Sequence, residues 1–221
     1  MNRDPESSSL SAKRFICGLD EAGRGPIAGP VCAAAVILPG DFDCSVLNDS
    51  KKLSEARRNT AMTEIYRHAF AWHIGWASSF EIDEINILNA SLLAMKRAYE
   101  GMLQKLKNRT EPGFSCSEQE IEVIVDGLHK PSISAAECSA FPKADGTYPA
   151  VMAASILAKT ARDRMMIRYS WLYPEYGYEK HKGYPTAAHI QAFRKNGPSG
   201  IQRETFRLKS EMQQDLFERF P

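Results

Sequence analysis

Apolar residues in this chain occur in short runs that glycine, proline and polar residues interrupt. Such runs, bounded on both sides, predict buried strands. They lie at about 14–20, 31–38, 72–78 and 121–125, with a weaker extended stretch near 129–140. Apolar residues at helical spacing predict helices. These occupy about 55–71, 81–88, 89–106, 149–172, 186–194 and 209–219. Strands first, then strands mixed with helices, indicate an α/β domain with a mixed sheet.

Length and composition favour one substantial core. The 221 residues are 43% hydrophobic and 25% charged, which is typical of an ordinary globular protein. We expect a flexible tail at 1–13, a core at 14–170 and a C-terminal helical extension at 171–221.

The distribution of charge is more informative than its sum. The net charge is +1, yet residues 159–209 carry seven more basic than acidic side chains. A basic C-terminal third suits a polyanionic partner, although charge runs of this kind also occur as ordinary solvated faces.

The cysteines and the N-terminus bear on the cellular compartment. The five cysteines form no Cys-x-x-Cys pair and their number is odd. This argues against a disulfide framework and a zinc site and favours a reducing compartment. The N-terminus shows no apolar signal segment, and the longest apolar run, 31–38, is too short to cross a bilayer. We expect a cytoplasmic protein with no membrane partner, and we expect a monomer.

Residues 16–30, ICGLDEAGRGPIAGP, are the segment around which the candidate chemistry is arranged. The first predicted strand ends in adjacent carboxylates, Asp20 and Glu21, and a glycine-rich loop follows whose backbone a ligand can approach closely. Asp126 ends the strongest predicted strand, and Asp163 lies on the long predicted helix. Because ligands gather at strand ends in α/β sheets, Asp20 and Asp126 would meet if their strands are neighbours.

Carboxylates gathered in this way are typical of a metal site. Oxygen ligands without histidine or cysteine suit Mg²⁺ or Mn²⁺, and a cation offsets the repulsion between the acids. Two such ions about 4 Å apart hydrolyse a phosphodiester by activating water and stabilising the leaving oxygen. Taken alone, each acid is also explained as a loop or turn residue or, for Asp163, as the partner of a neighbouring arginine.

Two further patterns in the sequence bear on the choice of ligand. Ser155, Lys159, Arg162 and Asp163 share one face of the long helix, where they would meet either a phosphate backbone or solvent. Residues 23–28 also fit the Gly-x-Gly-x-x-Ala dinucleotide fingerprint. We reject a dehydrogenase because this fingerprint must open a helix, which Gly29-Pro30 would break, and because a strand is predicted next.

Six segments together resemble the ribonuclease HII family. They are GLDEAGRGPIAGP at 18–30, DSKKLS at 49–54, EIDEINI at 81–87, VDG at 125–127, ASILAKTARDRM at 154–165 and HKGYPT at 181–186. They occur in the family's order and span about residues 15–207, so the combination is highly specific.

The resemblance implies a ribonuclease H-like fold, in which helices flank a mixed sheet and a C-terminal helical extension contributes to substrate binding. It implies an endonuclease whose nucleic-acid partners are RNA–DNA hybrids and DNA duplexes containing ribonucleotides. Such an enzyme cuts the RNA strand of hybrids and incises 5′ to single embedded ribonucleotides, leaving 3′-hydroxyl and 5′-phosphate ends.

The resemblance also implies roles for individual residues. The catalytic acids, which bind two Mg²⁺ or Mn²⁺ ions, match Asp20, Glu21, Asp126 and Asp163. The backbone that senses the 2′-hydroxyl, the group by which RNA differs from DNA, matches Gly23, Arg24 and Gly25. Tyr184 matches the tyrosine that stacks on the sugar next to the junction. The remaining expected substrate contacts are Lys51, Lys52, Ser155, Lys159 and Arg203.

The segment 200–208, GIQRETFRL, departs from the family's usual Arg-x-Ser-Phe-x-Pro-Val-like sequence. Arg203 and Phe206 fit, Thr205 replaces the serine and the Pro-Val pair is absent.

Thirteen polar residues before the core cannot form the extra N-terminal domain of ribonuclease HIII, which favours HII. The rival hypothesis is a non-catalytic nucleic-acid-binding module with a degenerate site, and the four acids argue against it.

Overall fold

Five strands and five helices make up the part of the chain that the structure describes. This structure, a computed structural model, describes residues 15–47, 53–109 and 116–206. The strands are β1 (Phe15–Ala22), β2 (Val31–Ile37), β3 (Ala71–Ala77), β4 (Ile121–Asp126) and β5 (Glu137–Phe141). The helices are α1 (Glu55–His68), α2 (Ser79–Lys107), α3 (Pro149–Leu172), α4 (Tyr178–His181) and α5 (Ala187–Asn196). No helix among these residues is long and apolar enough to cross a bilayer.

All five strands form one mixed sheet in the order β3-β2-β1-β4-β5. β1 pairs antiparallel with β2, and β2 pairs antiparallel with β3, whereas β4 runs parallel to both β1 and β5. The C-terminal ends of β1 and β4 therefore lie side by side at one edge of the sheet. This arrangement confirms the predicted α/β fold with a mixed sheet.

β2 is buried along its whole length because helices cover both faces of the sheet. Its odd-numbered residues, from Val31 to Ile37, pack in the core that contains α2. Cys32, Ala34 and Val36 point the other way, into the core formed with α1 and α3. An unbroken apolar run is what a strand covered on both faces requires. Because the glycine loop leads into this strand and not into a helix, the dinucleotide-binding alternative is excluded.

Close packing between α3 and β1 fixes where the long helix begins. A Cβ atom at Gly18 would lie 2.1 Å from the backbone carbon of Ala150, so only glycine lets the first turn of α3 approach the strand. Pro149 occupies the first turn of this helix, as predicted, where no backbone N–H is needed. The contact places the first half of α3 beside the end of β1.

The two helices predicted at 81–88 and 89–106 are one element, α2, that bends at Asn86. Asn86 has a non-helical backbone, with φ 65° and ψ 165°. Its side-chain oxygen accepts a hydrogen bond of 3.1 Å from the N–H of Asn89, as a helix-capping residue does. The predicted break between the two helices is therefore present, and the residue that caps the second helix is Asn86.

The segment after α3 folds back against the loop that follows β1. The N–H of Ile27 donates to the carbonyl of Gly183 at 2.9 Å, and the N–H of Gly29 donates to that of Ile201 at 2.8 Å. The short helix α4 lies between the helices predicted at 149–172 and 186–194, where no helix was predicted. The predicted tail and the predicted helix at 209–219 lie outside the described residues, and the division at residue 170 stays a prediction.

Candidate active site

Carboxylates from β1 and β4 meet at the shared edge of the sheet. Leu19 is paired with Val125 in the parallel ladder, so Asp20 and Asp126 emerge next to each other. Oxygen atoms of Asp20, Asp126 and Asp145 all lie within 4.8 Å of one another. Glu21 lines the same cleft, which has a volume of about 430 Å³. The expectation that the two strand ends meet is thereby satisfied.

Asp145 is the member of this group that the sequence analysis missed. It lies in a single 3₁₀ turn, Ala144–Gly146, between β5 and α3. The N–H of Ala144 donates to Oδ1 of Asp126 at 2.7 Å, which ties the turn to the end of β4. No strand end or helical face marks Asp145, and the one available signal was its position four residues before the proline that opens α3.

Asp163 does not lie with these carboxylates. It pairs with Lys159, with 2.7 Å between Nζ and Oδ1, and it lines a neighbouring groove of about 300 Å³. Ser155, which hydrogen-bonds Asp20, lies eight residues earlier on α3, a separation of about 12 Å along the helix axis at 1.5 Å per residue. A carboxylate side chain is too short to span that distance. This geometry corrects the assignment of Asp163 to the acidic cluster and favours Asp145 in its place.

Burial makes Asp20 and Glu21 costly to ionise. Burial, followed by the charges of Glu21 and Asp126, raises the pKa of Asp20 well above its usual range, although the Ser155 hydrogen bond lowers it. Burial also raises the pKa of Glu21, which Arg24 counteracts through a contact of 3.3 Å. A divalent cation would remove this penalty, and the all-oxygen donor set fits Mg²⁺ or Mn²⁺. The residues present therefore fit the expected metal.

The glycine loop forms one wall of the cleft. Gly23 has φ 104°, and a Cβ atom there would lie 2.0 Å from Nε of Arg162, so the fold itself requires glycine. A Cβ atom at Gly25 would lie 3.5 Å from Cε1 of Tyr184, an ordinary contact. The fold therefore tolerates a small side chain at Gly25, and Gly25 and Tyr184 lie next to each other at the wall of the cleft.

The expected phosphate contacts are only partly brought to the cleft. Ser155 and Lys159 line it, together with Arg58, a residue of α1 that the sequence analysis did not select. Arg58 donates to the carbonyl of Leu53 at 2.6 Å, which fixes its side chain at the cleft wall. Lys51 and Lys52 lie outside the described residues, so their roles stay predictions.

Arg203 occupies a different place from the one expected. Its side chain is 1% exposed and donates hydrogen bonds to backbone carbonyls beneath the glycine loop. Burial, followed by the charge of Arg162, lowers the pKa of Arg203 to about 9, so it remains cationic at neutral pH. A guanidinium enclosed in this way has no face to offer to a phosphate, which corrects the assignment of Arg203 as a direct substrate contact.

Comparisons with known proteins give a consistent result. A model of the ribonuclease HII family matches residues 17–209. A ribonuclease HII of Treponema denticola is 58% identical over 198 residues, which cover 89% of this chain and 100% of the relative. The ribonuclease H2 of Pyrococcus horikoshii OT3 has a TM-score of 0.64 at 24% identity, covering 92% of this chain and 99% of that one. A Bst ribonuclease HIII in complex with Mn²⁺ has a TM-score of 0.67 at 17% identity, covering 99% and 76%. The two structural likenesses show the fold.

Proposed function

Since the chain belongs to the ribonuclease HII family, and is thus a hydrolase of the ribonuclease H type, we propose that it acts on two substrates. It cuts the RNA strand of RNA–DNA hybrids, and it incises 5′ to single ribonucleotides embedded in duplex DNA. The observation that carries the proposal is the partly buried acidic cluster at the adjacent ends of β1 and β4, next to a glycine loop. Carboxylates supply the metal site, and the loop supplies a close-fitting backbone.

Four carboxylates would hold the metal: Asp20, Glu21, Asp126 and Asp145. When bound, two Mg²⁺ or Mn²⁺ ions would supply an activated water and stabilise the leaving 3′-oxygen, which gives 3′-hydroxyl and 5′-phosphate ends. The chain's own contribution is to hold these acids in place before the substrate arrives. Asp20 accepts from the N–H of Glu21 at 2.7 Å, and Asp126 accepts from that of Ala144 at 2.7 Å, so neither carboxylate is free to turn away.

Recognition of ribose rests on the loop that faces the acids. In this proposal, the backbone of Gly23, Arg24 and Gly25 contacts the 2′-hydroxyl, the one group that distinguishes the ribonucleotide from its neighbours. Tyr184, whose ring lies beside Gly25 at the wall of the cleft, stacks on the adjoining sugar. A side chain at position 25 would fill the space where the sugar must lie, which explains a glycine that the fold does not require.

Basic side chains at the rim would position the backbone of the nucleic acid. Arg58 and Lys159 line both the catalytic cleft and the neighbouring groove, which also includes Arg164, Lys180 and Lys182. Contacts of this kind fix register and orientation without reading sequence. They fit the basic character of residues 159–209 and give the enzyme a general affinity for duplexes. In this proposal the acidic cluster carries out the hydrolysis, and the glycine loop distinguishes ribose from deoxyribose.

The proposal is tested with end-labelled duplexes of one sequence. One strand is RNA, DNA or DNA with a single ribonucleotide, and each duplex is incubated with Mg²⁺, Mn²⁺ or chelator. We expect metal-dependent cuts in the RNA strand and one nick 5′ to the single ribonucleotide, with no cut in all-DNA duplex. Cleavage of hybrid alone would discard the junction role of Gly23–Gly25 and Tyr184. Binding without cleavage in either metal would establish the rival, non-catalytic binding module.

A further inference from the structure

Arg203 holds the glycine loop from beneath through an unusual number of contacts. Its guanidinium donates to the carbonyls of four loop residues. These are Gly23 at 2.6 Å, Arg24 at 3.1 Å, Pro26 at 2.6 Å and Gly29 at 2.8 Å. Hydrogen bonds from a charged donor are about twice as strong as neutral ones, and here one side chain fixes most of the loop. Arg162 donates to the carbonyls of two further residues of the loop, Ala28 and Pro30.

The direction of these carbonyls determines where the loop's N–H groups point. In a trans peptide the C=O of one residue and the N–H of the next point in opposite directions, and every described peptide bond is trans. Since Arg203 draws the carbonyls of Gly23 and Arg24 inward, the N–H groups of Arg24 and Gly25 face away from it. Residues 23–25 line the cleft. The buried cation thus aims two backbone donors at the substrate space.

The segment that carries Arg203 is itself anchored by an acid on α2. Asp83 accepts hydrogen bonds from the N–H of Glu204 at 3.0 Å, the N–H of Thr205 at 2.9 Å and the Thr205 hydroxyl at 2.7 Å. The chain is held on the other side by the N–H of Arg203, which donates to the carbonyl of Ile27 at 3.0 Å. Asp83 therefore lies outside the cleft and still determines where the Arg203 backbone sits.

We propose that Arg203, anchored by Asp83, is the positioning residue for ribose recognition: it fixes the N–H groups of Arg24 and Gly25 in the orientation that receives the 2′-oxygen. This inference rests on the proposed function, in which those amides contact the 2′-hydroxyl. It assigns to residues 200–206, the described part of the atypical segment, a role in sugar selectivity through Arg203 in place of a direct phosphate contact by that residue. It also gives the acidic segment 81–87 a function, because that segment supplies the anchor.

The test is Arg203→Lys, which keeps the positive charge and places all its donors on one nitrogen that cannot span four carbonyls. Single-turnover cleavage of the single-ribonucleotide duplex, measured over a range of enzyme concentrations, gives a maximum rate and a half-saturating concentration. Fluorescence anisotropy gives the affinity for the all-DNA duplex of the same sequence. Thermal unfolding reports whether each variant is folded.

We expect the maximum rate of Arg203→Lys to fall about 10- to 100-fold, as misplaced contacts typically do, with the all-DNA affinity within about twofold of wild type. In the same variant, the difference in affinity between the single-ribonucleotide duplex and the all-DNA duplex should be smaller than in wild type. A folded Arg203→Lys protein with a wild-type maximum rate would overturn the inference. So would equal losses of rate and of all-DNA affinity, which would indicate a general structural role.

Asp83→Ala keeps the inference testable if Arg203→Lys does not fold. It should lower the maximum rate about 3- to 10-fold, because the segment loses its anchor while Arg203 stays. Glu84→Ala, which removes the same charge from the next residue and is exposed, is the matched control and should remain within about twofold of wild type. The double variant Asp83→Ala/Arg203→Lys should be no slower than Arg203→Lys, because the two residues act in one network. Equal behaviour of Asp83→Ala and Glu84→Ala would contradict the anchor. Wild-type protein that fails to cut the ribonucleotide duplex would instead refute the proposed function.

Discussion

Replacing Asp145 by asparagine should abolish cleavage and at the same time stabilise the metal-free protein. Carboxylate oxygens of Asp20, Asp126 and Asp145 lie within 4.8 Å of one another. At that distance and an effective dielectric constant of about 20, two unit charges interact by about 3 kcal/mol. Asparagine keeps the shape of the side chain and removes one charge, and with it two of the three repulsive pairs.

The same magnitude sets the expected loss of activity. An interaction of about 3 kcal/mol with a cation corresponds to more than a 100-fold change in rate, and a divalent ion interacts more strongly still. We therefore expect Asp145→Asn to lower the single-turnover rate at least about 100-fold. In chelator, the gain in stability will be smaller than the full repulsion, because Asp20 already tends to stay protonated. A gain of about 1 kcal/mol would raise Tm by about 2–4 °C in a chain of this length.

Asp163→Asn is the matched control, since it makes the same substitution at a carboxylate that lines the neighbouring groove and lies outside the acidic cluster. It breaks the 2.7 Å pair with Lys159, which we expect to cost about 1 kcal/mol of stability or less and to leave the rate within about threefold. The assays are single-turnover cleavage of the single-ribonucleotide duplex with Mn²⁺ and thermal unfolding with chelator. An inactive Asp163→Asn protein beside an active Asp145→Asn protein would refute the reasoning and restore the assignment made from sequence.

Two further predictions follow from the site. Gly23→Ala should lose about 2 kcal/mol or more of stability, because the residue has φ 104° and its Cβ would meet Arg162. Gly25→Ala should unfold like wild type in urea and should cut the embedded ribonucleotide at least about 10-fold more slowly. Equal effects of the two substitutions on stability and on cleavage would contradict the role given to Gly25. Because the pKa values of Asp20 and Glu21 are raised in the folded state, the folded metal-free protein keeps protons that the unfolded chain releases. The contribution of these two carboxyls to its stability in chelator should be greatest below the ordinary carboxyl pKa of about 4 and should fall as pH rises through the raised values. A flat profile, or a fall that Asp20→Asn leaves unchanged, would contradict the shifts.

The parts of the site that sequence predicted are those tied to regular secondary structure. Asp20 and Asp126 were recognised because each ends an apolar run. They lie close together because β1 and β4 are neighbours in the sheet. The pattern of apolar residues does not show which strands are neighbours. Asp145 escaped because it lies in a turn, where no period marks a residue. Asp163 was selected because it lies on the long predicted helix and within a segment that resembles the family's motif, yet neither observation gives its distance from the strand ends.

Arg203 shows a second reason why sequence falls short. The resemblance to the family's Arg-x-Ser-Phe segment implied that Arg203 contacts the substrate, and the structure buries it among loop carbonyls instead. Burial of a cation depends on long-range folding, here on the return of residues 200–206 to the loop after β1. The same folding explains why Gly23 must be glycine, since the reason is Arg162, which is far away in sequence.

The central claim, that the carboxylates at the ends of β1 and β4 form a divalent metal site, is tested most directly by calorimetric titration of the protein with Mn²⁺ in two buffers of different ionisation enthalpy. We expect saturable binding that releases protons, because Asp20 and Glu21 must ionise to bind the metal, and a loss of affinity of at least about 10-fold in Asp126→Asn. Binding that releases no protons and is unchanged in Asp126→Asn would place the metal elsewhere and contradict the account.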